Sequence, residues 1–161
     1  MQKICPICRQ TGNVDDDYCN CVREGRMSAI DVIWADEKLV GIAQRLMDKG
    51  FRVNSCILHG NGIYSKPAIR IYFDEHYDIE SLFHDMPPGW YTETFLGNGG
   101  SRKFTVLAED CECDDEDLEY ELVLTISNLE TWLDSIDSEA AKAVLILAGY
   151  STEPVIHTRE E

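Results

Sequence analysis

The sequence predicts an α+β protein in which an antiparallel sheet carries helices on one face. Strand and helix patterns alternate through residues 29–108, and a helical pattern runs through residues 118–149. A cysteine-rich stretch precedes both, at residues 1–28. Between them, residues 109–117 form an acidic linker, and residues 150–161 form a tail that Pro154 keeps out of a helix.

Within residues 29–108 the predicted order is β-α-β-β-α-β-β. Segments rich in β-branched and aromatic residues give the strands: Ile30–Ala35, Phe51–Leu58, Ala68–Phe73, Trp90–Leu96 and Lys103–Leu107. Asp36 and Asp78 are predicted N-caps of the two helices, and Gly50 is predicted to end the first. A glycine-rich hairpin turn joins the last two strands at residues 97–100. This order suits an antiparallel sheet with both helices on one face, ferredoxin-like in outline.

The C-terminal segment is predicted to form a helical pair, or hairpin. Apolar residues at spacings of three and four make one stripe on its first helix: Leu118, Leu122, Ile126, Leu129, Leu133 and Ile136. Ser138 then caps a second helix that spans Glu139–Ala148. Two roles fit the stripe: it packs on the open face of the sheet, or it forms a homodimer through the helix at 118–136 or docks into another protein.

Charge is unevenly distributed along the chain. The net charge is −16, and residues 109–161 hold sixteen acids against two bases. Because nucleic-acid binding depends on neutralising phosphates with Lys and Arg, this third of the chain should repel nucleic acid. It suits a protein partner with a basic surface, or it serves only as a solubilising face. Arg9, Arg23 and Arg26 lie near the cysteines, but four acids balance the four bases of residues 1–30, which limits nucleic-acid binding there too.

The N-terminal stretch predicts a metal site at Cys5, Cys8, Cys19 and Cys21. Cys5 and Cys8 form a tight knuckle around Pro6, and ten residues then separate it from the Cys19–Cys21 pair. Four thiolates at tetrahedral angles suit Zn²⁺, and a site with four protein ligands leaves no position for a water. The sequence therefore predicts a structural zinc ion. A redox pair and unligated cysteines are the alternatives.

Two resemblances accompany these patterns. The segments Cys5–Gly12 and Cys19–Gly25 resemble the zinc knuckles of zinc-ribbon and DnaJ-type cysteine-rich proteins, although Gln10 replaces a usual glycine and the second pair is Cys-x-Cys. That resemblance implies a metal and at most a protein-binding finger. Residues 39–95, through Leu46–Cys56, His59 and Pro88–Trp90, are similar to small uncharacterised proteins of bacteriophages and prophages. This second resemblance implies a phage or prophage origin and no particular activity.

Three further groups of residues are candidates for a chemical site. Cys56 and His59 follow one another near the end of a predicted strand, so a Cys nucleophile with a His base is one hypothesis. His76 and His84 join His59 in a metal site only if the fold gathers them. Cys111 and Cys113 lie among acids and are a second candidate pair for the zinc site, in place of Cys19 and Cys21. Acidic neighbours raise a thiol pKa, so this pair is a poor nucleophile.

We therefore expect a non-enzymatic, zinc-stabilised interaction or regulatory protein whose acidic C-terminal third binds or masks a basic partner surface. The alternative is a small hydrolase or transferase that uses Cys56 and His59. The chain has neither an apolar stretch of about 20 residues nor a signal peptide pattern, and its cysteine usage fits a reducing compartment. We therefore expect a cytoplasmic protein that does not bind a membrane.

Overall fold

One mixed sheet organises the described part of the chain, which in this computed structural model comprises residues 1–59, 67–97, 100, 103–111 and 116–157. Its strands are Gln2–Ile4 (β1), Thr11–Asn13 (β2), Ile33–Ala35 (β3), Val53–His59 (β4), Ala68–Phe73 (β5), Tyr91–Leu96 (β6) and Lys103–Asp110 (β7). The helices are Asn20–Arg23 (α1), Val40–Asp48 (α2), Ile79–Phe83 (α3), Leu118–Asp134 (α4) and Ser138–Leu147 (α5). The prediction of an α+β protein is confirmed.

The strand order is β2-β1-β3-β4-β5-β7-β6. Neighbouring strands are antiparallel except β3 and β4, which are parallel and joined by α2. A ferredoxin-like sheet splits its βαβ unit by placing another strand between the two parallel strands. Because β3 and β4 pair directly with each other, the ferredoxin-like arrangement is not confirmed. The sheet also continues beyond β3 into β1 and β2, two strands that the sequence analysis did not predict.

Aspartate side chains cap the starts of α3, of α5 and of the 3-10 turn before α2. The Asp36 carboxylate accepts a hydrogen bond from the Lys38 N–H, and a 3-10 turn at Glu37–Leu39 leads into α2. Asp78 caps α3 through the Ser81 N–H, as predicted. The cap of α5 is Asp137, which accepts from the Ala140 N–H, and Ser138 is already the first helical residue.

Gly50 ends the turn after α2 with a φ of +93°, the conformation that the predicted glycine stop requires. A Cβ at this position would lie 2.9 Å from Thr152 Cγ2 and 3.0 Å from Lys142 Cγ. The chain leaving α5 therefore packs directly on this turn.

The main core lies between one face of the sheet and the helices. Strand residues of this face are fully buried with the apolar side of α2: Cys56, Ile69, Ile71, Leu107, Ile42 and Leu46. The predicted stripe of α4 belongs to the same core, where Leu129 and Leu133 are fully buried. Helix α4 packs against α2, whereas α5 contacts α3. The prediction that the two C-terminal helices pair with each other is thus not confirmed.

The chain end crosses to the N-terminal part of the protein. Ile156 packs against a second cluster formed by Cys5, Cys21, Met27 and Val32. His157 donates its backbone N–H to the buried carboxylate of Asp31, and its Nδ1 lies 2.6 Å from the other Asp31 oxygen. The tail is therefore tied to the cysteine-rich region, although 126 positions separate His157 from Asp31.

Some predicted features lie outside the described residues. They are the loop at 60–66, parts of the turn at 97–102, residues 112–115 of the acidic linker with Cys113, and residues 158–161 of the tail. Within the described ranges, no helix combines the length and apolar character that crossing a bilayer requires.

Candidate metal centre

Strand alternation directs Cys5 and Trp34 to the sheet face opposite the helices. In β1, Ile4 enters the main core, and Cys5, directly after it, enters the second cluster. Trp34 of β3 faces the same cluster, whereas its neighbours Ile33 and Ala35 are buried in or beside the main core. The cysteine-rich region thus covers one end of a sheet face that the helices leave open.

The Cys5–Cys8 turn is a hydrogen-bonded knuckle. The Cys5 N–H donates to the Gln10 carbonyl at 3.1 Å, and the Arg9 N–H donates to the Cys5 carbonyl at 2.9 Å. The Cys8 N–H points at Cys5 Sγ at 3.4 Å. This last contact is of the kind that stabilises a thiolate, because an N–H donor favours the charged form of the sulfur.

The second pair comes from the start of α1. Cys19 is the residue before this helix, and its carbonyl accepts the N–H groups of Val22 and Arg23, both at 3.1 Å. Cys21 lies within the helix and is buried, with Arg26 Nη2 at 3.6 Å from its Sγ. One short helical turn therefore aims both thiols at the knuckle.

The four sulfur atoms all lie within 4.8 Å of one another, so Cys5, Cys8, Cys19 and Cys21 could hold a metal ion. In the described part of the chain they are the one group of three or more metal-ligating side chains that come this close. Cys5 and Cys21 are buried, Cys19 is half-buried and Cys8 is exposed, so an ion has a path from solvent. The predicted ligand residues are thus brought together.

The protonation of the thiols differs within the cluster. Burial raises the pKa of Cys5 to about 12, although the N–H groups of Cys8 and Ile7 act in the opposite direction. Burial also acts to raise the pKa of Cys19, but the Val22 N–H, the Cys5 thiol and the Cys21 N–H outweigh it, so that pKa is lowered. A metal must displace the proton from Cys5, which makes binding weaker as the pH falls.

Met27 and Arg9 support the site through contacts that the sequence does not reveal. The Met27 thioether lies 3.4 Å from Cys5 Sγ and is almost fully buried. Arg9 follows Cys8 with a φ of 64°, and its guanidinium contacts α2 through Asp48 at 2.9 Å and the Gln44 side chain at 3.1 Å. The Gln44 amide donates back to the Arg9 carbonyl at 3.2 Å. Arg9 therefore fastens the knuckle to the body of the protein.

The structure separates Cys56 from His59. Cys56 is completely buried in the main core, and burial raises its thiol pKa to about 12. His59 is exposed on the opposite face of β4, where Nε2 lies 3.1 Å from the Tyr72 hydroxyl. Residues three apart in a strand point to opposite faces, so this histidine cannot deprotonate the thiol across the sheet.

The other candidate histidines and cysteines do not form a site among the described residues either. His76 and His84 are exposed, and neither belongs to a group of metal-ligating side chains among the described residues. Cys111 is buried in the main core, away from the cluster around Cys5. Its partner in the sequence hypothesis, Cys113, lies outside the described residues.

Comparison with known proteins gives no match: no family model, no curated protein and no solved structure is similar to this chain at the significance required.

Proposed function

We propose that the chain is a zinc-stabilised interaction protein whose acidic helical surface binds a basic surface on a protein partner. The observation that carries the proposal is the outer face of α4. Three large apolar side chains are exposed there, Tyr120 at 67%, Val123 at 57% and Leu124 at 41%. Acidic residues lie beside them: Glu119 and Glu121 in the first turn of α4, and Glu116 and Asp117 directly before the helix. Glu119 also pairs with Lys38, so the other three carboxylates are the main attraction for a basic partner.

Such a surface combines the two features that a basic, partly apolar partner requires. The apolar side chains offer area whose burial favours association, about 25 cal/mol for each Å² removed from water. The carboxylates attract Lys and Arg over distances of about 8–10 Å at physiological ionic strength. The inner stripe of α4 is already used by the chain's own core, so the outer face is the part of this helix that a partner can reach.

Zn²⁺ is the metal that we assign to the four cysteines. Four thiolates around a small centre suit its tetrahedral preference, and they fill its coordination sphere. The second cluster contains only a few apolar side chains, so metal binding would supply much of the stability of the N-terminal region. In this role the metal shapes the protein and takes no part in a reaction. A phage or prophage origin and a cytoplasmic location belong to the same proposal, on the sequence resemblance and the cysteine usage.

Metal analysis tests the zinc assignment. We expect one zinc per chain in the purified protein, lost in Cys19→Ser. The matched control is Cys111→Ser with Cys113→Ser, which should retain the metal because Cys111 packs in the other core. Retention of zinc by Cys19→Ser, or its loss from the control, would contradict the ligand set.

Partner binding is tested with three immobilised proteins: the wild type, Val123→Ser with Leu124→Ser, and Ile146→Ser with Leu147→Ser. The last pair is the control, because these α5 side chains are exposed at 59% and 88% but lie outside the acidic turns of α4. From host lysate we expect the wild type and the control to retain the same protein and to release it at high salt. The α4 variant should not retain it. Equal retention by all three proteins, or by none, would refute the proposal.

A further inference from the structure

The outer strand β6 is an open sheet edge. It pairs with β7 on one side, and it is the last strand in the sheet order, with no second neighbour among the described residues. Five of its six residues are exposed, which means that neither face of the strand is covered. Phe95 is 40% exposed and Leu96 is 59% exposed.

This edge carries few of the features that normally prevent strand addition. Edge strands are usually protected by charged side chains, above all Lys, by Pro, by a bulge or by a very short length; Glu93 is the one charged residue of β6. The six residues of β6 contain no Lys and no Pro, and their register with β7 runs without a shift from Tyr91↔Ala108 to Leu96↔Lys103. Thr and aromatic residues, which favour strands, make up most of the segment. The unpaired backbone groups of β6 can therefore accept another strand.

From these features we propose that β6 pairs with β6 of a second copy of this chain, antiparallel and about a twofold axis. The local charge at this edge does not oppose a second copy. The chain has a net charge of −16, yet β6 carries one charged residue, Glu93, so two copies repel each other little here. This inference is independent of the proposed partner on α4.

The register follows from the geometry of antiparallel pairs. In an antiparallel pair, residues directly opposite each other point to the same face. A twofold axis normal to the sheet must therefore place one residue opposite its own copy, and that residue defines the register. An axis at Glu93 would place two carboxylates opposite each other, which is unfavourable. An axis at Thr94 places Thr94 against its own copy and pairs all of residues 92–96, whereas an axis at Phe95 pairs fewer residues of the strand.

The Thr94 register also extends an aromatic row. The Phe95 ring stacks on Phe104 with ring centres 5.3 Å apart, and Tyr72 meets it edge-on at 6.0 Å. With Thr94 at the axis, the two Phe95 residues are diagonal neighbours across the interface, about 7–8 Å apart and within reach of each other's rings. On the other face, Leu96 lies opposite Thr92 of the second copy.

Sedimentation across a range of protein concentrations tests the proposal on the metal-loaded chain. We expect the wild type to dimerise, and hydrogen exchange of the β6 amides to slow as the dimer forms. Thr94→Lys places two ammonium groups opposite each other and should weaken the dimer by about fivefold or more. Glu93→Gln removes the remaining like charges near the axis and should tighten it, by about twofold to fivefold.

The control variant is Val123→Ser with Leu124→Ser, which should leave the dimer intact. Metal content and circular dichroism confirm that each variant is folded. A wild type that stays monomeric at all concentrations would overturn the proposal. A dimer that withstands Thr94→Lys would also overturn it, and if the control variant then dissociates, the interface lies on α4.

Discussion

Arg9 connects the metal knuckle to helix α2 while its backbone adopts a conformation that favours glycine. Its φ is 64°, and such a conformation costs a non-glycine residue about 1–2 kcal/mol. The side chain offsets this cost through Asp48 and Gln44. The ion pair is partly exposed, 33% for the arginine and 63% for the aspartate, so it contributes about 0.2–1 kcal/mol. The hydrogen bond to Gln44 adds about 1 kcal/mol.

These magnitudes predict an unusual order of stability. Arg9→Ala loses the contacts and keeps the strained backbone, so it should lower the free energy of unfolding by about 1–2 kcal/mol. Arg9→Gly loses the same contacts but relieves the strain, and the extra flexibility of glycine in the unfolded chain costs about 0.5–1 kcal/mol. The glycine variant should therefore be the more stable of the two, by about 0.5–1 kcal/mol.

Urea unfolding of the zinc-loaded proteins, followed by tryptophan fluorescence, measures this order. Asp48→Asn is the control, because it removes only the ion pair and should cost less than about 1 kcal/mol. An alanine variant as stable as the glycine variant would refute the reasoning, since the strain at this position would then be no larger than the cost of about 0.5–1 kcal/mol for the flexibility of glycine.

Two further predictions concern stability. One carboxylate oxygen of Glu109, Oε2, is buried without a hydrogen-bond partner among the described residues. Burial raises the pKa of this carboxyl group; the hydrogen bond from Thr125 lowers it, and the charges of Glu121 and Asp110 raise it further. A raised folded pKa stabilises the protein fully below the unfolded value near 4.5, and this contribution is lost as the pH rises through the folded pKa. Glu109→Gln should therefore be about 1 kcal/mol more stable than the wild type at pH 7, and this gain should disappear below pH 4.5. Urea unfolding at pH 7 and at a pH below 4.5 measures it, and a gain independent of pH would contradict the reasoning. Gly50→Ala should lower the free energy of unfolding by about 2 kcal/mol or more, because the added Cβ meets Thr152 and the backbone is strained. Gly149→Ala has a φ of +94° but no atom within 4 Å of an added Cβ, so it should lose only about 1 kcal/mol, from backbone strain alone. Equal thermal-unfolding losses for the two would show that contact with Thr152 has no effect.

Local patterns predicted the longer elements well. Ala68–Phe73 was predicted and is observed with the same bounds, because alternating apolar residues fix a strand that is buried on one face. Asp78 caps its helix as predicted, and Asp36 caps the 3-10 turn that leads into α2, since a short carboxylate before a helical pattern satisfies free backbone N–H groups. The four cysteines come together because their spacing allows one knuckle and one helical turn to converge.

Other features depend on contacts that no local pattern contains. Strands β1 and β2 have three residues each, too few to show an alternation, and they form because β1 pairs with β3. The first predicted strand, Ile30–Ala35, is observed only as Ile33–Ala35 for a local reason: Ser28 and Asp31 make a reciprocal capping box that turns Ala29–Asp31 into a 3-10 turn. The separation of Cys56 from His59 was open to prediction, because an odd spacing along a strand places two side chains on opposite faces.

The metal centre depends on both ends of the chain. Its cluster has few apolar residues, and three attachments support it: the pairing of β1 with β3, the contact of Arg9 with α2, and the packing of Ile156. The Asp31 carboxylate, 4% exposed, holds the Ser28 N–H as well as His157, so the tail completes a buried polar group that would otherwise be partly unsatisfied. A metal bound at the four cysteines, as we propose, would supply binding energy that the small cluster lacks, and its removal should loosen the tail as well as the knuckle. The contacts of Ile156 and His157 therefore join the tail to the cysteine-rich region as one structural unit.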